Sequence, residues 1–151
     1  MPQSLSMIYL HIIFSTKNRY PFLNNQNIRN HLYTYMAGIC KNLSAPAIII
    51  GGTADHVHLL TRFSRTLTVS HYLKEMKRHS STWIKEKYPQ LKKFHWQNGY
   101  GVFSIGASQV DNVIQYIKNQ EQHHQKISFQ DEFRQICKLY GIEIDERYVW
   151  D

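Results

Sequence analysis

The sequence predicts an α+β fold of the ferredoxin-like kind. A βαββαβ order builds an antiparallel sheet with helices on one face, and two further helices follow at the C-terminal end. Three observations predict it. Segments rich in β-branched residues alternate with segments whose apolar residues recur every three to four positions. Turn-forming residues punctuate each change of period, and no repeat, linker or low-complexity tract interrupts the pattern. A chain of 151 residues with 42% hydrophobic content is also long enough for one domain, residues 1–151, with a core of its own.

The first strand is expected over residues 7–16 (MIYLHIIFST), which are apolar and β-branched. Residues 17–22 form a polar turn with Pro21, after which Asn24 or Asn25 can cap a helix. In that helix Ile28, Leu32, Tyr35, Met36, Ile39 and Leu43 repeat at helical spacing. Residues 45–52 (APAIIIGG) make a second strand stopped by Gly51-Gly52, and His56–Phe63 makes a third, its hairpin partner. A long helical pattern covers residues 66–88. Val69, Tyr72, Leu73, Met76 and Trp83 form its apolar side, Lys74, Lys77, Arg78, Ser81 and Lys85 the opposite one, and Pro89 ends it. Residues 94–105 (FHWQNGYGVFSI) read as a loop entering a fourth strand. Ser108 and Gln109 open a helix with the stripe Val110, Val113, Ile114 and Ile117. The last helix starts near Ser128, buries Phe129, Phe133, Ile136, Cys137 and Tyr140, and stops at Gly141. Residues 142–151 are expected as a short strand or ordered coil.

Charge and composition narrow the function. Eighteen Lys and Arg against eleven Asp and Glu give a net charge of +7, and a pI near 9.4 favours a polyanionic partner. No apolar stretch approaches the ~20 residues of a membrane span, and the first six residues do not form a signal peptide. Cys40 and Cys137 lie far apart without metal or redox spacing, which suits a reducing cytoplasm. Gly51-Gly52-Thr53 lacks the spacing and lysine of a P-loop, and no Gly-x-Ser-x-Gly elbow occurs. Zinc is disfavoured, because neither cysteine lies in a ligand pair and His123 and His124 adjoin rather than share a face.

Three constellations can carry chemistry. His56 and His58 sit two apart on a strand, so both imidazoles project from one face while Val57 points into the core. Such a pair can bind a divalent metal, or it can simply decorate a solvated sheet face. Tyr116 and Gln120 are one helical turn apart at the border of their helix's apolar stripe, with Gln109 and His123 on the same border. A nucleophile and an oxygen ligand would fit there, as would an ordinary boundary tyrosine. Lys74, Lys77, Arg78 and Lys85 form a basic face near the rings of Phe94, His95, Trp96, Tyr100 and Phe103. Cations beside flat rings suit single-stranded nucleic acid, although the rings can equally be core material.

In combination these segments resemble a known family. GGTADHVHLL, HWQNGYGVFSI (residues 95–105) and QYIKNQEQHH (residues 115–124), in that order, are similar to the single-tyrosine HUH-class insertion-sequence transposases, including the REP-associated tyrosine transposases. The resemblance runs from the first strand to the final ERYVWD. It implies that His56, His58 and Gln120 hold a divalent cation, Mg2+ or Mn2+. It implies that Tyr116, on a C-terminal helix, attacks single-stranded DNA and forms a 5′-phosphotyrosine intermediate for strand transfer. It further implies hairpin-forming DNA ends as substrate, a nucleoid-associated location and a homodimer in which one subunit's tyrosine helix can complete the other's site. Lys74, Lys77, Arg78, Lys85 and Trp96 are the expected DNA-binding residues. A rolling-circle or relaxase-type nicking enzyme is the alternative within this chemistry, and a non-catalytic nucleic-acid-binding module on the same fold is the alternative outside it.

Overall fold

In a computed structural model of the protein, which describes residues 3–151, the apolar run near the start of the chain becomes β1 (Ile8–Ser15). Residues 1 and 2 of the expected domain lie outside the described residues. β1 pairs with β3 (His56–Phe63) on one side and β4 (Gly101–Ile105) on the other, and β2 (Ala47–Gly52) adds to the outer edge of β3. All three pairings are antiparallel and the order is β2-β3-β1-β4, which is the split βαββαβ arrangement with β2 and β3 as the expected hairpin.

Asn25 starts α1 (Gln26–Asn42) by accepting hydrogen bonds from the Asn27 and Ile28 amides, which otherwise lack helical partners. Thr68 does the same for α2 (Val69–Lys87) through the His71 amide, so this helix begins three residues later than its apolar pattern. Both helices lie on one face of the sheet. Ile12, Phe14, Val57 and Leu59 from the strands meet Leu32, Met36, Tyr72, Leu73 and Met76 in the larger core.

The alternate strand residues face the other way. Because cross-strand partners share a side, Ile13 and Ser15 of β1 lie beside His58 and His56 of β3. This face is not solvated. α3 (Val110–Lys118), α4 (Gln120–His123) and α5 (Phe129–Leu139) cover it, and Ile13, Phe103, Phe129, Phe133 and Cys137 form a second, smaller core. The sheet is therefore sandwiched between two helical layers.

Three local features set this second layer. The helix expected from Ser108 breaks at Asn119, whose φ of −95° and ψ of 15° leave helical geometry and divide α3 from α4. Gly51 lets α3 lie directly on β2: a Cβ there would fall 2.8 Å from Ile117 Cγ2 and 2.9 Å from the Ile117 carbonyl oxygen. The segment after α5 takes the coil alternative rather than the strand, as a series of turns that brings Val149 and Trp150 onto the smaller core. No helix among the described residues is long and apolar enough to cross a membrane.

Candidate active site

His56 and His58 project from β3 onto the face covered by α3–α5, and both are fully buried. Their partners fix which ring nitrogens face the interior. His56 Nδ1 lies 2.8 Å from Asp55 Oδ1, and a carboxylate only accepts, so Nδ1 carries the proton and Nε2 presents a lone pair. Burial opposes ionisation of Asp55, but the contacts with His56 and the hydrogen bond from Thr53 together outweigh it and hold the carboxyl below its ordinary value. His58 Nδ1 is 2.8 Å from His11 Nε2, while His58 Nε2 is 3.0 Å from Glu132 Oε1. Burial pushes His11 down to about 3 and His58 down to about 4. Both rings are therefore neutral near pH 7, the form in which imidazole binds a metal.

Gln120, at the start of α4, is also buried. Its Nε2 donates to Glu132 Oε2 at 3.0 Å, which orients the amide so that Oε1 faces His56 Nε2 at 3.0 Å. His124 donates from Nδ1 to the Ile127 carbonyl at 2.8 Å, and its buried Nε2 is left without a hydrogen-bond partner, 3.1 Å from Glu132 Oε1. Lone pairs of His56 Nε2, His124 Nε2, Gln120 Oε1 and Glu132 Oε1 thus converge. Acceptors crowded together repel one another unless a cation sits among them. The donor atoms of His56, His58, His124 and Glu132 lie within 4.8 Å of one another, as a shared metal requires. Imidazole, carboxylate and amide oxygen together suit a divalent cation.

Tyr116 points into the same cluster from α3. Its hydroxyl donates to Glu132 Oε2, and its ring lies 5.7 Å from that of His58 and 5.4 Å from that of His123. Burial, then the charge of Glu132 and the hydrogen bond to it, hold the phenol above its usual range. Burial would also raise Glu132, but its contacts with His124, His58 and Tyr116 outweigh that and keep the carboxylate ionised. One carboxylate therefore joins both halves of the cluster, with Oε1 toward His58 and His124 and Oε2 on the phenol and the Gln120 amide. A cleft of ≈ 420 Å³, with His11, Val113, Tyr116, His123 and Ile136 in its walls, opens the phenol to solvent.

Glu132 and His124 are absent from the sequence-derived site. Glu132 left a signal, since positions 129, 132, 133, 136 and 137 form one helical stripe in which it is the sole charge. The argument against His124 as a ligand fails because adjoining residues need not share a face to share a target. His123 approaches Glu132 Oε2 at 3.4 Å while His124 approaches Oε1 at 3.1 Å, so the two rings bracket the carboxylate.

The expected DNA-binding residues separate into three groups. Lys74 and Arg78 are exposed in a groove of ≈ 410 Å³ between α2 and the loop 95–100, with Arg78 paired to Glu75 at 2.8 Å. Lys85 lies apart from them, in a groove with Lys17, Lys92 and Lys93. Lys77 and Trp96 require correction. Lys77 Nζ donates to the carbonyls of Gln97, Asn98 and Gly99 at 2.9, 3.2 and 2.7 Å, so its ammonium protons hold the loop rather than a phosphate. Trp96 is 6% exposed, packs edge-on against Phe14 and Phe94, and donates to Ser80 Oγ at 2.9 Å, so no base can stack on it in this conformation.

Comparison with known families places this sheet, with its histidine cluster beside a helix-borne tyrosine, in a class of DNA-processing enzyme. The family described as IS200-like transposase matches residues 4–120. The chain belongs to the IS200-like transposase family. Among solved structures, a candidate transposase from Deinococcus radiodurans R1 is similar at 22% identity and a TM-score of 0.64, over 78% of this chain and 93% of that one. A REP-associated tyrosine transposase bound to a REP hairpin is similar at 13% identity and a TM-score of 0.61, over 83% and 73%. At these identities the structures share the fold. No curated protein matches the chain. His124 and Glu132 lie beyond the residues that the family match covers.

Proposed function

We propose that the protein is a single-tyrosine transposase that cleaves and rejoins single-stranded DNA through a 5′-phosphotyrosine intermediate. The observation that carries this reading is the meeting of Tyr116, His56, His58 and Gln120 around Glu132 within one chain. The Tyr116 oxygen attacks a backbone phosphorus as its proton passes to Glu132 Oε2, the new O–P bond forms as the bond to the 3′-oxygen breaks, and the departing 3′-oxygen takes up a proton. A phenolate leaves more readily than an alkyl alkoxide because the phenol pKa is ~10, so a second 3′-hydroxyl can reverse the step and join a new strand.

His56, His58 and Gln120, together with His124 and Glu132, would hold the divalent cation. When bound, that cation neutralises charge on the non-bridging phosphate oxygens. Mg2+ and Mn2+ are both compatible with the oxygen donors, and the imidazoles favour Mn2+. Asp55 and His11 orient the two β3 rings. Glu132 Oε2 holds the Tyr116 hydroxyl proton and so fixes the direction of the oxygen's lone pairs. Lys74 and Arg78 supply the cationic track for the backbone. Because the nucleophile and ligands belong to one chain, a homodimer would hold two DNA ends together rather than complete either site. Hairpin-forming ends are the proposed substrate, and the protein is expected at the nucleoid.

The test is covalent capture. Wild-type protein incubated with single-stranded DNA and Mn2+ gives an adduct that survives denaturation. Tyr116→Phe gives none and retains DNA binding, because the change removes one oxygen and leaves the ring in place. An adduct formed by Tyr116→Phe overturns the assignment.

A further inference from the structure

We propose that a slot beside the catalytic cluster receives one unstacked base of the DNA strand, which deepens the single-strand reading above and rests on it. The slot measures ≈ 260 Å³ and lies between the loop 97–100, α5 and the C-terminal turns, with Asn98, Tyr100, Phe129, Phe133, Tyr148 and Trp150 in its walls. This is below the ~300–1,000 Å³ of sites for drug-sized ligands, so it suits a single flat ring system.

The walls have the chemistry of a base site. Trp150 meets Phe129 and Phe133 edge-on at 6.5 and 6.1 Å, while Tyr148 and Tyr100 are 66% and 41% exposed despite their size. Arg134 lies over the half-buried Trp150 ring at 5.0 Å, Arg147 over Tyr148 at 5.3 Å and Lys77 over Tyr100 at 5.5 Å, so an unstacked base meets the uncovered ring surface beside these cations. The Asn98 side-chain amide is exposed and makes no hydrogen bond among the described residues, leaving a donor and an acceptor for a base edge. Arg19 lies over the Trp150 ring at 5.9 Å and has no carboxylate partner among the described residues, which leaves its charge for a flanking phosphate. The slot is also preformed. Gln97 Nε2 donates to the Asp151 carbonyl at 3.4 Å and Trp150 Nε1 to Glu146 at 2.7 Å, so the C-terminal turns are already tied to the loop and to themselves.

Continuity with the neighbouring sites favours a DNA base over other occupants. Phe129 is both a wall of the slot and a neighbour of His56, with ring centroids 4.7 Å apart. On the other side, Asn98 and Tyr100 also line the basic groove of Lys74 and Arg78. A strand lying in that groove reaches the slot by crossing the loop, and the buried Phe129 ring separates the slot from the histidine cluster. The slot residues on α5 and the C-terminal turns lie beyond the family-matched segment, so the base meets residues that belong to this chain's own C-terminal part.

Binding of two 15-nucleotide probes to the full chain in EDTA tests this: fluorescein-labelled oligothymidylate, and a strand of the same length and charge that is abasic throughout. Wild type binds the base-bearing strand more tightly. Trp150→Ala and Tyr148→Ala each weaken that strand by about five- to a hundredfold and leave the abasic strand unchanged, while Trp150→Phe restores most of the loss. Tyr148 is exposed enough that its removal leaves the fold intact, so it decides the matter if Trp150→Ala is unstable. Equal weakening of both strands, or none, overturns the slot while leaving single-strand binding standing. Wild type binding neither strand overturns the single-strand reading and the slot with it. A change in sedimentation without a change in DNA binding assigns the slot to a second copy of the chain and also overturns the proposal.

Discussion

The two faces of the sheet are built from the same strands and do opposite things. Toward α1 and α2, the alternate residues Ile12, Phe14, Val57 and Leu59 meet other apolar groups, and their contribution is area removed from water. Toward α3–α5, the intervening residues His11, Ser15, His56 and His58 are equally buried but polar, and each is tied to a named partner. The first face tolerates a change of shape at a cost in stability. On the second, the identity and orientation of each polar group matter, because a buried polar atom without its partner bears the full cost of its desolvation. One strand period of two residues thus assigns stability to one side and chemistry to the other.

Substitutions on opposite faces break the comparison most sharply. Met76→Ala, in the larger core, is expected to lower stability by ~2–5 kcal/mol through the cavity it leaves. It should nevertheless keep the rise in melting temperature that Mn2+ confers, worth ~2.7 kcal/mol at a metal concentration a hundredfold above Kd. His58→Ala should lose that metal-dependent rise entirely, and with it metal-dependent cleavage. Thermal unfolding with and without Mn2+ checks both; a metal response in His58→Ala equal to that of wild type would remove the ring from the metal site.

A smaller effect separates the faces by pH. His11 and His58 have ordinary values of 6.5 that burial lowers to about 3 and about 4 in the folded chain. As the solution is acidified below about pH 6.5, the unfolded chain binds protons that the folded chain refuses. Stability therefore falls toward pH 4, by up to ~1.4 kcal/mol per pH unit for each ring. Below about 4.5 the depressed Glu132 carboxyl adds to the same trend. His11→Asn should flatten the slope between pH 6.5 and 4 in metal-free thermal melts, and an unchanged slope would show that this ring does not titrate as its burial requires.

The smallest effect concerns the surface. Lys74→Ala or Arg78→Ala should weaken single-strand binding and reduce the salt-dependence slope by about one each, with the melting temperature nearly unchanged. Lys77→Met should instead lower stability, since the carbonyls of Gln97, Asn98 and Gly99 lose their common donor. Anisotropy titrations at several salt concentrations, with melts alongside, distinguish a phosphate contact from a loop clamp.

What could be read in the sequence was local. The alternation of His56, Val57 and His58 depends on a period of 2.0 residues and places both imidazoles on one face, whereas Tyr116 and Gln120 meet on Glu132 although Asn119 breaks the helix between them. Trp96 and Lys77 were misplaced because their roles come from distant partners, Ser80 and Phe14 for the indole and the loop carbonyls for the ammonium. His124 was set aside because it adjoins His123 rather than sharing a face with it, yet both rings reach Glu132. Glu132 stood in plain view as a carboxylate on an apolar stripe, yet its significance depends on α5 packing over β3, which spacing within α5 does not contain.

Gly51 stands opposite His58 in the β2–β3 ladder and beneath Ile117 of α3. The reach between the phenol and the imidazoles is consequently gauged by a hydrogen atom where every other residue would carry a carbon. Any side chain there must lever α3 off the sheet against its own backbone oxygen, carrying Tyr116 along. The tolerance of the candidate site is thus set by a residue with no functional group at all.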